Sequence, residues 1–132
     1  MPSGKKRILV VEDDAGFRDL LRVQLSMAGY ALELAANGAE GAKALRDKSP
    51  DLILSDVHMP LLTGLELLSL AKADEKTSSI PVILLSGQSD ADTVAMAMKL
   101  GAADFLTKPV STEKLLKSIS ACLEGAGKRT GA

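Results

Sequence analysis

Leu52-Ile53-Leu54-Ser55-Asp56-Val57-His58-Met59-Pro60 is the stretch from which the fold can be read. It opens as an apolar run, passes through a carboxylate and stops at a proline. Such a run, bounded by Asp51 and Pro60, reads as a buried strand of a parallel sheet. A buried charge is costly unless it is paired or bound to a metal. Asp56 therefore belongs where the strand emerges at the edge of the sheet. In open α/β sheets, ligands collect at that edge, beyond the carboxyl ends of the strands. Asp56 is accordingly expected to be the residue on which the protein is modified.

Working outward, the flanking segments alternate in character. Upstream, Arg7 to Val11 (RILVV) is a first strand, and Glu12-Asp13-Asp14 follows at once. Phe17, Leu20, Leu21, Leu25 and Ala28 then recur at helical spacing, with Gly29 as the stop. Tyr30 to Ala35 is a second strand. Asn37 caps a helix of small residues through Leu45, which ends before Ser49-Pro50. Downstream, Thr63-Gly64-Leu65-Glu66 has capping-box spacing, and Gly64, Leu67, Leu68 and Ala71 form the inner stripe of the helix it opens.

Asp74 to Ser79 reads as a polar loop, and Ile80 to Leu85 as a fourth strand that tolerates Pro81 at its start. Ser86-Gly87-Gln88-Ser89-Asp90 is a turn. Val94, Ala97 and Met98 are expected to face inward on the next helix, with Met96 and Met98 as helix filling, and Gly101 ends it. Ala103 to Thr107 is a short fifth strand, followed by Lys108-Pro109. The last helix carries Leu115, Ile119, Cys122 and Leu123 on one face, so Cys122 is expected to be packed core. Five strand–helix units imply an α/β fold: one doubly wound parallel sheet with right-handed crossovers and helices on both faces. Residues 1–6 read as an N-terminal tail, 7–124 as one domain, and 125–132 as a flexible tail or the start of a linker.

Composition narrows the function classes. The 132 residues suit a single domain, and 46% hydrophobic with 25% charged is an ordinary globular balance. A net charge of −1 gives no general pull toward nucleic acid or a membrane surface. The apolar runs are far too short to span a bilayer. The single cysteine excludes an internal disulfide and fits a reducing compartment, so a cytoplasmic location is expected. Phe17, Tyr30 and Phe105 are the only aromatic residues, which leaves few platforms for stacking bases.

The residues just beyond each strand form a set with its own chemistry. The first strand contributes Glu12, Asp13 and Asp14, the third Asp56, the fourth Ser86 and Gly87, and the fifth Lys108. A parallel sheet brings them to one edge. Crowded carboxylates favour a proton or a cation. A hard divalent ion takes one or two carboxylates and keeps places for phosphate oxygens. A lysine and a hydroxyl can hold the remaining oxygens. These are the parts that phosphoryl transfer needs. No glycine-rich phosphate loop precedes a helix, so a bound nucleotide is not expected. Asp13 and Asp14 both suit a helix cap; Asp13 is assigned to the site and Asp14 to the cap.

The segments ILVVEDD, DLILSDVHMP, TGLELL, IPVILLSG and GAADFLTKPV, in this order and spacing, resemble the two-component response-regulator receiver domain, chemotaxis receivers included. The resemblance runs from Lys6 to about Leu123. It implies a flavodoxin-like three-layer sandwich of five helices around strands in the order 2-1-3-4-5. It implies Asp56 as phospho-acceptor, phosphorylated from a histidine-kinase or phosphotransfer-protein phosphohistidine. It further implies Mg2+ or Mn2+ held by Glu12, Asp13, Asp56 and the backbone carbonyl of His58. Ser86 and Lys108 would serve the chemistry, Ser86 and Phe105 the switch, and His58 and Gln88 the lifetime of the phosphate. The family's Lys-Pro bond is usually cis. The face of the fourth helix, fifth strand and last helix would meet an output domain or protein, with no direct nucleic acid and no membrane. Such a domain catalyses only its own phosphorylation and dephosphorylation. The alternatives are the receiver part of a larger regulator or hybrid kinase, and a metal-dependent phosphohydrolase. The hydrolase would need a second acid close after its nucleophile, where Val57 and His58 stand.

Overall fold

Short aliphatic stretches form the strands, and the segments with helical periodicity form the helices between them. The computed structural model describes residues 4–87 and 90–130. In chain order the elements are β1 (Arg7–Val11), α1 (Ala15–Met27), β2 (Ala31–Ala35), α2 (Gly38–Lys48), β3 (Leu52–Asp56), α3 (Gly64–Ala73), β4 (Val82–Ser86), α4 (Ala91–Lys99), β5 (Asp104–Thr107) and α5 (Thr112–Thr130). All neighbouring strands are parallel, in the order β2-β1-β3-β4-β5. This is the flavodoxin-like order that the resemblance implied. The order reverses at β1, so β1 and β3 flank the switch point, where such sheets hold ligands.

Two apolar clusters sandwich the sheet. Leu9, Val11, Ile53, Val82 and Leu84 pack with Leu45 of α2, Leu67, Leu68 and Ala71 of α3 and Ala97 of α4. Ile8, Val10, Leu52, Leu54, Ile83 and Leu85 face the other way, onto Leu21 and Leu25 of α1 and Leu115 and Ile119 of α5. Alternation along each strand thus feeds both layers, which is why the central strands read as unbroken apolar runs. Burying one such Leu or Ile side chain contributes about 1.5–3 kcal/mol. The strands that deliver Glu12 and Asp56 are therefore firmly anchored.

Helix starts follow the sequence signals. Asp14, Asn37 and Asp90 accept the backbone N–H of Phe17, Glu40 and Thr93 at 2.7, 2.8 and 2.7 Å. Thr63 and Glu66 complete the expected capping box, at 3.2 and 2.8 Å. The buried stripe of α3 is Gly64, Leu67, Leu68 and Ala71, as its spacing predicts.

Other expectations need correction. Met98 is half exposed, as is Met96, and Ala97 is the only buried residue of α4. A residue one step from Ala97 lies about 100° around the helix, so a narrow contact stripe leaves Met98 toward solvent. The last helix runs to Thr130, past Gly125, where the tail or the start of a linker was expected to begin. β4 begins at Val82 rather than Ile80, since Pro81 has no N–H to donate. Ser86 is its last residue, not the first of the turn. Thr77, in the loop read as polar, is buried and donates its hydroxyl to the Ala71 carbonyl at 2.6 Å.

Candidate functional site

The carboxyl ends of β1, β3, β4 and β5 converge on a small acidic centre. Glu12 leaves β1 almost wholly buried, at 1% exposure. Its backbone is tied on two sides: the N–H donates to the Ala35 carbonyl at 3.0 Å, and its carbonyl accepts Arg18 Nη1 at 2.8 Å. Its side chain accepts the Asp14 N–H at 3.0 Å. Asp13 is exposed. Asp56 closes β3 at 7% exposure. Glu12, Asp13 and Asp56 each present a carboxylate oxygen, and these oxygens lie within 4.8 Å of one another.

Lys108 reaches this centre from beyond β5. Its Nζ stands 3.0 Å from Glu12 Oε1 and 3.1 Å from Asp56 Oδ2. Its backbone N–H donates to the Ser86 carbonyl at 2.8 Å, and its bond to Pro109 is cis. One ammonium thus bridges two of the three carboxylates, Glu12 and Asp56. Burial pushes Glu12 above its usual 4.5, with the Asp56 charge adding to it, against the Asp14 N–H and Lys108. Burial opposes the Lys108 charge, yet its hydrogen bonds to Glu12 and Asp56 prevail and hold its pKa above the usual 10.5.

The remaining expected residues fall as follows. Ser86 is fully buried at the end of β4, one residue beyond Leu85, the register partner of Asp56. Phe105 pairs with Leu84 on β5 and is half-buried against the first cluster. His58 is exposed, two residues past Asp56. Gln88 lies outside the described residues. Asp14 serves the cap of α1, not the acidic centre.

Two neighbours escaped the sequence reading. The Phe17 ring lies under Lys108, with Nζ 4.6 Å from its centroid; its helical spacing had marked it only as core. Gly64 lies so close to the strand exit that an added Cβ would stand 2.3 Å from the Asp56 carbonyl oxygen. Only the partner's position, not the local sequence, distinguishes this glycine from an ordinary helix start.

The donor set suits a hard, oxygen-liking divalent cation: three convergent carboxylates exceed the charge of one ammonium, and Asp13 stands open to solvent. A carboxylate at a strand end with a lysine on one oxygen has the makings of a nucleophile for phosphorus.

Comparison with known proteins identifies the family. The family model described as "Response regulator receiver domain" matches residues 8–120. The phosphate regulon transcriptional regulatory protein PhoB of Pseudomonas aeruginosa is 38% identical over 122 residues, 92% of this chain and 53% of that protein. Protein PilH of the same organism is 37% identical over 119 residues, 90% of this chain and 98% of PilH. A CheY-like receiver domain protein from Methanospirillum hungatei superposes with a TM-score of 0.89 at 30% identity, covering 96% of this chain and 99% of its own. The chain spans about half the length of PhoB and of the Synechocystis regulator RpaA, and nearly all of PilH.

Proposed function

The chain belongs to the response regulator receiver domain family, and on that premise we propose that Asp56 accepts a phosphoryl group from a histidine-kinase or phosphotransfer-protein phosphohistidine. The observation that carries this is the carboxylate of Asp56 at the end of β3, 3.1 Å from Lys108 and grouped with Glu12 and Asp13. An Asp56 oxygen attacks phosphorus; the P–N bond breaks and its electron pair stays on the imidazole nitrogen. The product is an acyl phosphate, and no proton leaves Asp56. Lys108 and the Ser86 hydroxyl hold oxygens of the transferred group. Mg2+ or Mn2+, when bound, supplies positive charge beside those oxygens, and Glu12, Asp13, Asp56 and the His58 carbonyl would hold it. Positioning and charge stabilisation of this kind are what phosphoryl transfer requires. The domain acts only on itself, and His58 and Gln88 flank the path of the water that removes the phosphate.

The output is a change of binding surface. A bond from Ser86 to the phosphoryl group, of order 1.5–3 kcal/mol for a charged acceptor, draws the end of β4 toward Asp56. Phe105 then turns inward, and the face of α4, β5 and α5 meets an output domain or protein. Such a bias moves a minor state to near parity or beyond. The near-neutral charge supports a role without direct contact to nucleic acid. No helix among the described residues is long and apolar enough to cross a membrane, and the single cysteine suits the cytoplasm. A second reading, the receiver of a longer regulator or hybrid kinase, is favoured by relatives in which this length is about half the protein.

The test is incubation with acetyl phosphate and Mg2+, followed by intact mass and peptide mapping. One phosphoryl group on Asp56 is expected, and none on Asp56→Asn. Stable label on Asp56→Asn at the wild-type level would refute the assignment.

A further inference from the structure

We propose that Phe17 is a positioning residue for phosphoryl transfer, its ring face holding the Lys108 ammonium within reach of both Glu12 and Asp56. This rests on the reading of Asp56 as acceptor. A lysine ammonium sits on a flexible four-carbon stem and carries three donors. Here the carboxylates of Glu12 and Asp56 lie at 3.0 and 3.1 Å. The Phe17 ring lies 4.6 Å from the same nitrogen, within the reach of a cation–π contact. The cation thus meets two carboxylates and the negative face of an aromatic quadrupole.

The ring itself has a fixed base. Phe17 lies in the first turn of α1, and its backbone N–H is bonded to Asp14 Oδ2 at 2.7 Å. The next residue, Arg18, donates to the Glu12 carbonyl at 2.8 Å, so the same helical turn is tied to the acidic loop. The ring packs against the cluster that contains Ile8, Val10, Leu21 and Leu115. Phe17 therefore links the core directly to the Lys108 ammonium. An aliphatic side chain of similar size would fill the space but offer no charge-attracting face.

This matters at the moment of transfer. As the Asp56 oxygen forms its bond to phosphorus and the bond to the leaving group breaks, the transferring group carries negative charge spread over its three oxygens. The ammonium must be within reach of them without first searching for its place. With acetyl phosphate as donor the leaving group is acetate, which keeps the electron pair of the broken P–O bond.

The experiment replaces Phe17 with mono-, di- and trifluorophenylalanine, which weaken the ring quadrupole while nearly preserving shape, and separately with Leu and Tyr. The readouts are the rate of Asp56 phosphorylation by acetyl phosphate with Mg2+, the melting temperature, and the ring-current shift of the Lys108 ε-methylene by NMR. The rate is expected to fall stepwise with fluorination, by roughly three- to thirty-fold across the series, while the protein stays folded at the assay temperature. Phe17→Leu should lose the rate and the ring-current shift, and Phe17→Tyr should keep both. A rate independent of fluorination, or a Lys108 methylene with no ring-current shift in the wild type, would overturn the proposal. The methylene shift needs no phosphate, so it tests the positioning even if Asp56 takes no label, an outcome that counts instead against the acceptor reading.

Discussion

Gly64→Ala probes how tightly the acceptor's backbone is wedged. The new Cβ would stand 2.3 Å from the Asp56 carbonyl oxygen and 3.0 Å from both the Asp56 carbonyl carbon and Val57 Cα. A carbon approaches a carbonyl oxygen comfortably only at about 3.3 Å or more, so roughly 1 Å of movement is required. All three atoms are backbone, and no side chain can rotate away to relieve the contact. The Gly64 N–H also donates to the Val57 carbonyl at 2.9 Å, which ties the start of α3 to the same strand exit. Helix α3 is itself held in place by its capping box and by the buried Leu67 and Leu68. The strain must therefore be shared between α3 and the carbonyl end of β3. Overpacking of this kind costs about 1–3 kcal/mol. A displacement near 1 Å at a reacting group costs about 100-fold in rate. The control is Gly125→Ala, on α5, where an added Cβ meets nothing within 4 Å. That change should stabilise by about 0.5–1 kcal/mol, because it removes chain entropy without a clash. Urea unfolding measures both at constant slope, and mass spectrometry follows acetyl phosphate labelling. Gly64→Ala within about 0.5 kcal/mol of wild type, with an unchanged labelling rate, would refute the reasoning.

Further outcomes follow from the acidic centre. Mg2+ should raise the melting temperature of the unphosphorylated domain, by about 1.4 kcal/mol of stability at ten times Kd, and Asp13→Ala should abolish the rise; an equal rise in both proteins would remove Asp13 from the site. Without metal, Glu12 binds its proton more tightly folded than unfolded, because its pKa is raised by burial. Its contribution to stability is then complete below 4.5 and lost as pH rises through the folded value. Glu12→Gln should therefore stabilise the metal-free domain near neutral pH, with the gain vanishing on acidification; a loss of stability at neutral pH would contradict this. Finally, beryllofluoride with Mg2+ should shift amide signals from Asp56 through Ser86 to Ala103–Phe105 and the helix around Val94. Ser86→Ala should confine those shifts to the acidic centre, and shifts that stay local in the wild type would place the switch elsewhere.

Much of the fold is written locally. The apolar runs at Ile8–Val11, Leu52–Leu54 and Val82–Leu85, the caps at Asp14, Asn37 and Thr63, and the stripe Gly64-Leu67-Leu68-Ala71 each need only their own few residues to be read. Strand–helix alternation then restricts the sheet to parallel pairing, and the parallel sheet gathers the residues at its carboxyl edge. This is why Glu12, Asp56 and Lys108 were legible as one group although 96 residues separate the first from the last. What the periodic pattern could not specify is how closely each face is covered. Met98 and Ala97 are neighbours of similar apolar character, and only the width of the contact along α4 decides that one is buried and the other half exposed. The same limit hid Phe17 and Gly64. Their sequence surroundings are those of a core aromatic and a helix start. Their importance lies in gaps of a few ångströms, to Lys108 and to the Asp56 carbonyl. Such gaps are set by the stacking of α1 and α3 on opposite faces of the sheet, a consequence of long-range packing that no local spacing encodes.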